Sequence, residues 1–314
     1  MKREDLVIED IPDQYQVYDV DLTPSGQLAV VLGHRTDRTR PVFVRWRGTE
    51  IPLPDDSLWW DEYRNCLCLS PLVRASDEFL TVVKPLARSD RENNGWLWNR
   101  SGAVEAAFHA GDNVEELLAS DDLMLLFYGD EGQTGDISLS REAMVVMSSS
   151  GETLWGHRTQ FGGKECFDTW FHAAVWEGRD DIAVFADVQH KCAFVRLNVR
   201  GKSQQVWRPP GPIASPDAVT TVGDKVIAHG SGLIDEKDGQ GMLQLYPKDA
   251  WVRELVESGL RREHIYEWIP GTATWQVVGE WPWQVTNEQL SFRGLASGRF
   301  IAPKPDGYTI LSFD

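Results

Sequence analysis

The sequence predicts an all-β protein built from about six copies of one antiparallel unit of three or four strands. Three observations carry that expectation. Apolar runs are short, rich in Val, Ile, Phe and Trp, and bounded by Gly, Asp, Ser and Pro, the pattern of strands joined by tight turns. One glycine-turn hairpin recurs along the chain. Its glycines, at 48, 102, 151, 201 and 271, are separated by 54, 49, 50 and 70 residues, and three near-equal steps define a repeat.

Each unit can be read off in order. Pro24-Ser25-Gly26 leads into Leu28-Ala29-Val30-Val31-Leu32, then Phe43-Val44-Arg45-Trp46 meets Gly48 and runs on to Ile51 and Leu53. Ser76-Asp77-Glu78 leads into Phe79 to Val83, then Trp96-Leu97-Trp98 meets Gly102 and runs on to Val104 and Phe108. Ser120-Asp121-Asp122 leads into Leu123 to Tyr128, then Met144 to Met147 meets Gly151. Arg179-Asp180-Asp181 leads into Ile182 to Phe185, then Phe194 to Leu197 meets Gly201. Val222-Gly223-Asp224 leads into Lys225 to Ala228, then Tyr266-Glu267-Trp268 meets Gly271. Glycine supplies the positive φ of the hairpin turns, and Asp favours the others by bonding its own backbone. That turn chemistry accounts for the acidic pairs Asp121-Asp122 and Asp180-Asp181 better than a two-carboxylate glycosidase site does.

The one long step has a cause in the sequence. Residues 249–260 read as a helical insertion, with Asp249 as its cap, Gly259 as its stop, and Trp251, Val252, Leu255 and Val256 on one face. The chain ends on Leu290-Ser291-Phe292, Arg299 to Ala302 and Tyr308 to Leu311 as three further strands. Leu6-Val7-Ile8 is available as an outer strand that closes the last unit and removes a free sheet edge. The whole chain, 1–314, is expected to form one β-propeller domain of about six blades, with seven as the alternative count.

Over nearly its full length the chain resembles β-propellers of the WD40-like and quinoprotein-like type, by period and turn chemistry. Gly33-His34-Arg35-Thr36 and Gly156-His157-Arg158-Thr159 occur, and a single Trp-Asp dipeptide, Trp60-Asp61. The resemblance implies a rigid scaffold whose loops or central channel carry function.

Charge bounds that function. Lys and Arg number 31 against 48 Asp and Glu, a net charge of -17. This disfavours non-specific binding to nucleic acid or to anionic membrane, both polyanions. It suits solubility or a basic protein partner. No stretch approaches 18 apolar residues, so no spanning helix is expected. Met1-Lys2-Arg3-Glu4-Asp5 lacks the apolar run of a signal peptide, so the expected compartment is the cytoplasm. The four cysteines, Cys66, Cys68, Cys166 and Cys192, are too few for a disulfide framework and match no zinc-finger spacing. Neither a metal site nor a cofactor is expected. No nucleophile elbow, phosphate loop or His-Glu-x-x-His motif is present, so no catalytic residue is assigned.

Tryptophan is the compositional anomaly, at 14 residues. Trp46, Trp98, Trp155, Trp207 and Trp268 or Trp275 lie beside the recurrent hairpin, where a large side chain wedges sheets together. Three clusters sit elsewhere and are the binding candidates. Trp59-Trp60-Asp61-Glu62 and Trp281-Pro282-Trp283 lie in connections between units, where an indole can stack on a ligand. Asp168, Trp170 and His172 open the fourth unit and combine an acid, an aromatic and an imidazole. The leading functional expectation is a non-catalytic binding or scaffold protein that uses its loops for a protein partner, with a basic partner as the specific expectation by charge complementarity and an inhibitor or immunity-type role as one version. The alternatives are a hydrolase or lyase with Asp19, Asp21, Asp168, His172 and Asp217 in a central channel, and a carbohydrate-binding propeller.

Overall fold

The structure, a computed structural model, describes residues 1–8, 10–34, 41–53, 60–61, 66–67, 72–162, 165–168, 171–210, 213, 216–230, 253, 256–258, 260–281, 292–304 and 307–314. Strand β1 (Lys2–Leu6) begins the chain. Blade 1 is β2 (Tyr15–Leu22), β3 (Leu28–His34), β4 (Phe43–Trp46) and β5 (Thr49–Pro52). A two-stranded ladder of β6 (Trp60–Asp61) and β7 (Cys66–Leu67) follows. Blade 2 is β8 (Leu72–Ala75), β9 (Phe79–Val83), β10 (Gly95–Asn99) and β11 (Val104–Phe108). Blade 3 is β12 (Val114–Ala119), β13 (Leu123–Tyr128), β14 (Met144–Ser148) and β15 (Thr153–Gly156), with short helices α1 (Asp130–Thr134) and α2 (His157–Phe161) in its connections. Blade 4 is β16 (Phe171–Trp176), β17 (Asp181–Asp187), β18 (Cys192–Asn198) and β19 (Ser203–Trp207). Blade 5 is β20 (Ala218–Val222), β21 (Lys225–His229), β22 (His264–Trp268) and β23 (Trp275–Glu280). Blade 6 is β24 (Arg293–Leu295), β25 (Arg299–Lys304) and β26 (Gly307–Ser312), completed by β1. Among the described residues these are six four-stranded antiparallel sheets, and the fold is a six-bladed β-propeller. No helix among the described residues is long and apolar enough to cross a membrane.

Contacts divide the chain into two compact units, one of residues 8–171 with 288–290 and one of residues 1–7, 172–287 and 291–314. In the first unit the second strand of each blade is the most apolar, because it is covered on both faces. All six residues of β13, Leu-Met-Leu-Leu-Phe-Tyr, are buried. Val31, Val44 and Trp46 of blade 1 pack against Leu80, Val82 and Trp98 of blade 2. Leu97 of blade 2 packs against Leu117, Leu126 and Val145 of blade 3. Acidic turn residues tie each blade to the one before it. Ser25 donates to Asp77 at 2.5 Å, and the Glu78 amide donates to Asp121 at 3.1 Å.

The second unit follows the same rules. Phe185 and Phe194 of blade 4 meet Val226, Tyr266 and Trp268 of blade 5, and Trp207 and Trp275 close over them. Ile227 and Ile265 of blade 5 meet Phe300 and Leu311 of blade 6. Strand β1 pairs with β26 from Lys2 opposite Ser312 to Leu6 opposite Tyr308. The N-terminal strand therefore closes the last blade, but a few residues earlier than Leu6-Val7-Ile8. Four of its five residues are exposed, on both faces of the strand, so Lys-Arg-Glu-Asp can form it through the ladder alone.

The hairpin turns and the last blade follow expectation only in part. Gly48 and its neighbour Arg47 both have positive φ, 75° and 52°, as a two-residue hairpin turn requires. At the fourth hairpin Gly201 does not take this conformation; Lys202 does, at φ 49°. Blade 6 begins at Arg293, whereas Phe292 lies before the strand with its ring buried. Leu290, Ser291 and Cys68 lie outside the described residues, as does most of 249–260, where Arg253 and residues 256–258 are helical.

Candidate functional site

Blade 4 carries two polar features, at opposite ends of its strands. The first is a row of His172, Asp187 and Cys192. Asp187 ends β17 and Cys192 begins β18, and they are directly opposed in the ladder, so their side chains share a face. His172 lies on β16, the neighbour of β17 on its other side. Its Nε2 is 3.1 Å from Asp187 Oδ1. One ligand atom from each of the three lies within 4.8 Å of the other two. These are nitrogen, oxygen and sulfur donors on three adjacent strands, and they could hold a metal ion.

The turn that joins Asp187 to Cys192 is held firmly. Gln189 and His190 both have positive φ, 55° and 57°, which costs energy in residues with a Cβ. The Val188 amide bonds Lys191 O at 2.9 Å. Arg208 then donates to the carbonyls of Val188 and Lys191 at 2.7 Å each, and of Cys192 at 3.3 Å. One guanidinium fixes three carbonyls of the turn that aligns two members of the row. Asp217 lies within electrostatic range of His172. Burial raises its carboxyl above the usual carboxylate range, while the charges of Arg262, 3.8 Å away, and of His172 pull it back down.

The second feature is a groove of about 810 Å³ at the other end of the blade. Its walls include Glu177, Asp181, Arg196, Gln205, Thr221 and Ser297. Arg196 bonds Glu177 at 3.0 Å and the Gly223 carbonyl at 3.0 Å. Asn198 donates to Asp181 at 2.8 Å. Strand β19 lines the groove and pairs with β18 on one side only among the described residues. Its side chains are largely solvated, with Val206 40% exposed.

The residues singled out from sequence are dispersed. His172 belongs to the row. Asp168 is half-buried, and its carbonyl accepts from the Gln133 amide at 2.9 Å. Trp281 is buried. Its indole N–H donates to Pro303 O at 2.9 Å, and Arg3 lies over the ring at 5.1 Å. Trp60 and Asp61 form β6 opposite Leu67 and Cys66. Trp59, Glu62, Trp170 and Trp283 lie outside the described residues. Of the channel candidates, Asp21 accepts from the Ala75 amide at 2.8 Å. Asp19 is 3.9 Å from Arg74, which also pairs with Glu116. That buried guanidinium therefore ties the first strands of blades 1, 2 and 3.

Sequence reasoning missed Arg74, Glu116 and the pairing of His172 with Asp187 and Cys192. The nearness of Asp187 to His190-Lys191-Cys192 is legible in the sequence, since four residues between two apolar strands define a hairpin whose flanking residues face each other. The His172 half needed the register of β16.

The blades define the class, a six-bladed β-propeller. No family model matches the chain, and no curated protein matches it. Among solved structures the chain is similar to one in "Crystal Structure of Mitotic Checkpoint Complex", at 9% identity and TM-score 0.48, covering 97% of this chain and 77% of that one. It is similar to BamB from Moraxella catarrhalis at 11% identity and TM-score 0.44, covering 95% and 85%. It is also similar to the GH74 enzyme of Niastella koreensis at 10% identity and TM-score 0.45, covering 94% of this chain and 36% of that one.

Proposed function

We propose that this protein is a non-catalytic binding protein of the cytoplasm that holds an extended, basic segment of a protein partner against blade 4. The groove lined by β19, a strand paired on one side only among the described residues, carries this reading. An edge strand offers main-chain donors and acceptors to an added strand, and flanking pockets then select side chains. The groove wall supplies amides, hydroxyls and two carboxylates, Glu177 and Asp181, against one guanidinium, Arg196. A chain of net charge -17 attracts a basic segment at long range as well.

The test uses short extended peptides with Lys or Arg at alternate positions, titrated against the full chain by fluorescence polarisation. The basic peptides bind, and affinity falls as salt rises. Asp181→Lys weakens them by roughly tenfold or more, about 1.4 kcal/mol. Equal binding of acidic and basic peptides, or an Asp181→Lys variant that binds as well as the parent, removes the reading.

A further inference from the structure

We propose that His172, Asp187 and Cys192 form a binding site for one divalent cation of the zinc class. The inference stands apart from the peptide groove, which lies at the other end of the same strands.

The donor set selects the ion. An imidazole nitrogen and a thiolate sulfur suit zinc-class ions, whereas magnesium and calcium take oxygen ligands. The charges also match: a neutral imidazole, one carboxylate and one thiolate balance a dication. The positions fit as well. A tetrahedral zinc lies ~2.0–2.3 Å from each donor, which separates the donors by about 3.3–3.8 Å. Here the three donors already lie within 4.8 Å of one another, and the His172–Asp187 pair is at 3.1 Å. Only small side-chain movements separate this arrangement from a coordinated one.

The scaffold is rigid where such a site needs it. All three residues sit on hydrogen-bonded strands of one sheet, and strand-borne sites are held more accurately than loop-borne ones. The connection between Asp187 and Cys192 keeps two non-glycine residues at positive φ, and Arg208 clamps its carbonyls. Strain of this kind persists where the surroundings over-determine it, as at ligand clamps. Three protein ligands leave one tetrahedral position for water or a ligand atom, so the site is of the open kind and not the closed four-ligand kind.

The test uses the full chain stripped of metal and titrated with Co²⁺ as a spectroscopic probe. One equivalent binds, with a thiolate-to-cobalt charge-transfer band in the near ultraviolet, and Zn²⁺ displaces it while Mg²⁺ does not. Cys192→Ser abolishes the band. His172→Gln and Asp187→Asn each lower affinity by at least roughly 100-fold, the upper end of what loss of an outer-shell partner costs. His190→Gln and Cys166→Ser leave binding unchanged, and so does Asp181→Lys, which separates this result from the fate of the peptide groove. A second measurement needs no variant: Zn²⁺ slows alkylation of Cys192, read by mass spectrometry, by about tenfold or more, because the bound thiolate is no longer available as a nucleophile. The proposal is overturned if no band forms, if the band survives Cys192→Ser, if Mg²⁺ competes, or if Zn²⁺ leaves the Cys192 alkylation rate unchanged.

Discussion

His229, at the end of β21, is stacked on Phe292 with 3.9 Å between ring centres. It is 2% exposed. Its Nε2 faces the Trp281 carbonyl at 3.4 Å, and its Nδ1 has no hydrogen-bond partner among the described residues. That arrangement suits the neutral ring, with the proton on Nε2. Burial is the main cause of its lowered pKa, about 4; the Trp281 carbonyl opposes the shift and the Arg262 charge adds to it. The consequence for stability has a definite sign. Below pH 6.5 the unfolded chain binds a proton at this histidine that the folded chain refuses until about pH 4. Stability from this residue is therefore full above pH 6.5, is lost as pH falls, and levels off near pH 4. The loss is about 3 kcal/mol over that window. His229→Asn keeps a donor for the Trp281 carbonyl and removes the titration. Urea unfolding at pH 7 and pH 4.5 then shows a smaller acid loss in the variant than in the parent. Equal losses would mean that His229 charges freely in the folded state.

At the scale of the element, β1 does little for the core and much for the edge. Four of its five residues are exposed, so its apolar burial is small. Its ladder with β26 runs over five residue pairs, with Lys304–Asp5 and Lys2–Asp314 ion pairs at 3.0 Å beside it. Exposed pairs of this kind contribute little. Removing residues 2–6 is expected to lower stability modestly but to bare the edge of β26, an invitation to intermolecular pairing. Light scattering should report concentration-dependent self-association of the shortened chain, and a chain that stays monomeric would contradict this role. The same strand shows why the sequence is only partly legible. Middle strands such as Leu123–Tyr128 announce themselves, because burial on both faces demands an apolar run. Their turns do so too, because Gly48 and Ser76 meet local backbone needs, Gly48 by its positive φ and Ser76 by accepting from the Glu78 and Phe79 amides. An outer strand held by its ladder needs neither face covered, so Lys2–Leu6, with four consecutive exposed residues, carries no apolar signal. The candidate site was less legible still. Trp281 follows a pattern that reads as a surface connection, yet its indole finds a buried acceptor in Pro303. His172 and Asp187 meet through a strand register that no local pattern encodes.

At the scale of the whole molecule, charge is the property that composition fixes most directly. With 48 acidic residues against 31 basic ones, the folded chain repels itself, and compactness suffers for it. Local pairing compensates only in part. Ion pairs such as Arg200–Asp180 and Arg100–Glu78 are substantially exposed, and exposed pairs are worth little and are screened. Screening should therefore relieve more repulsion than it removes attraction. Raising ionic strength from ~0.01 to ~0.15 M shortens the screening length from about 30 to about 8 Å, less than the spacing of many surface charges. Thermal stability is expected to rise over that range; a gain of about 1 kcal/mol would lift Tm by roughly 2 °C for a chain of this size. The same salt weakens the basic-peptide binding proposed for blade 4, so the two effects run in opposite directions in one titration. A Tm that falls with salt would show that the local pairs outweigh the net charge. An affinity that holds while Tm rises would show that the groove is recognised by shape and main-chain bonding, without help from the acidic surface.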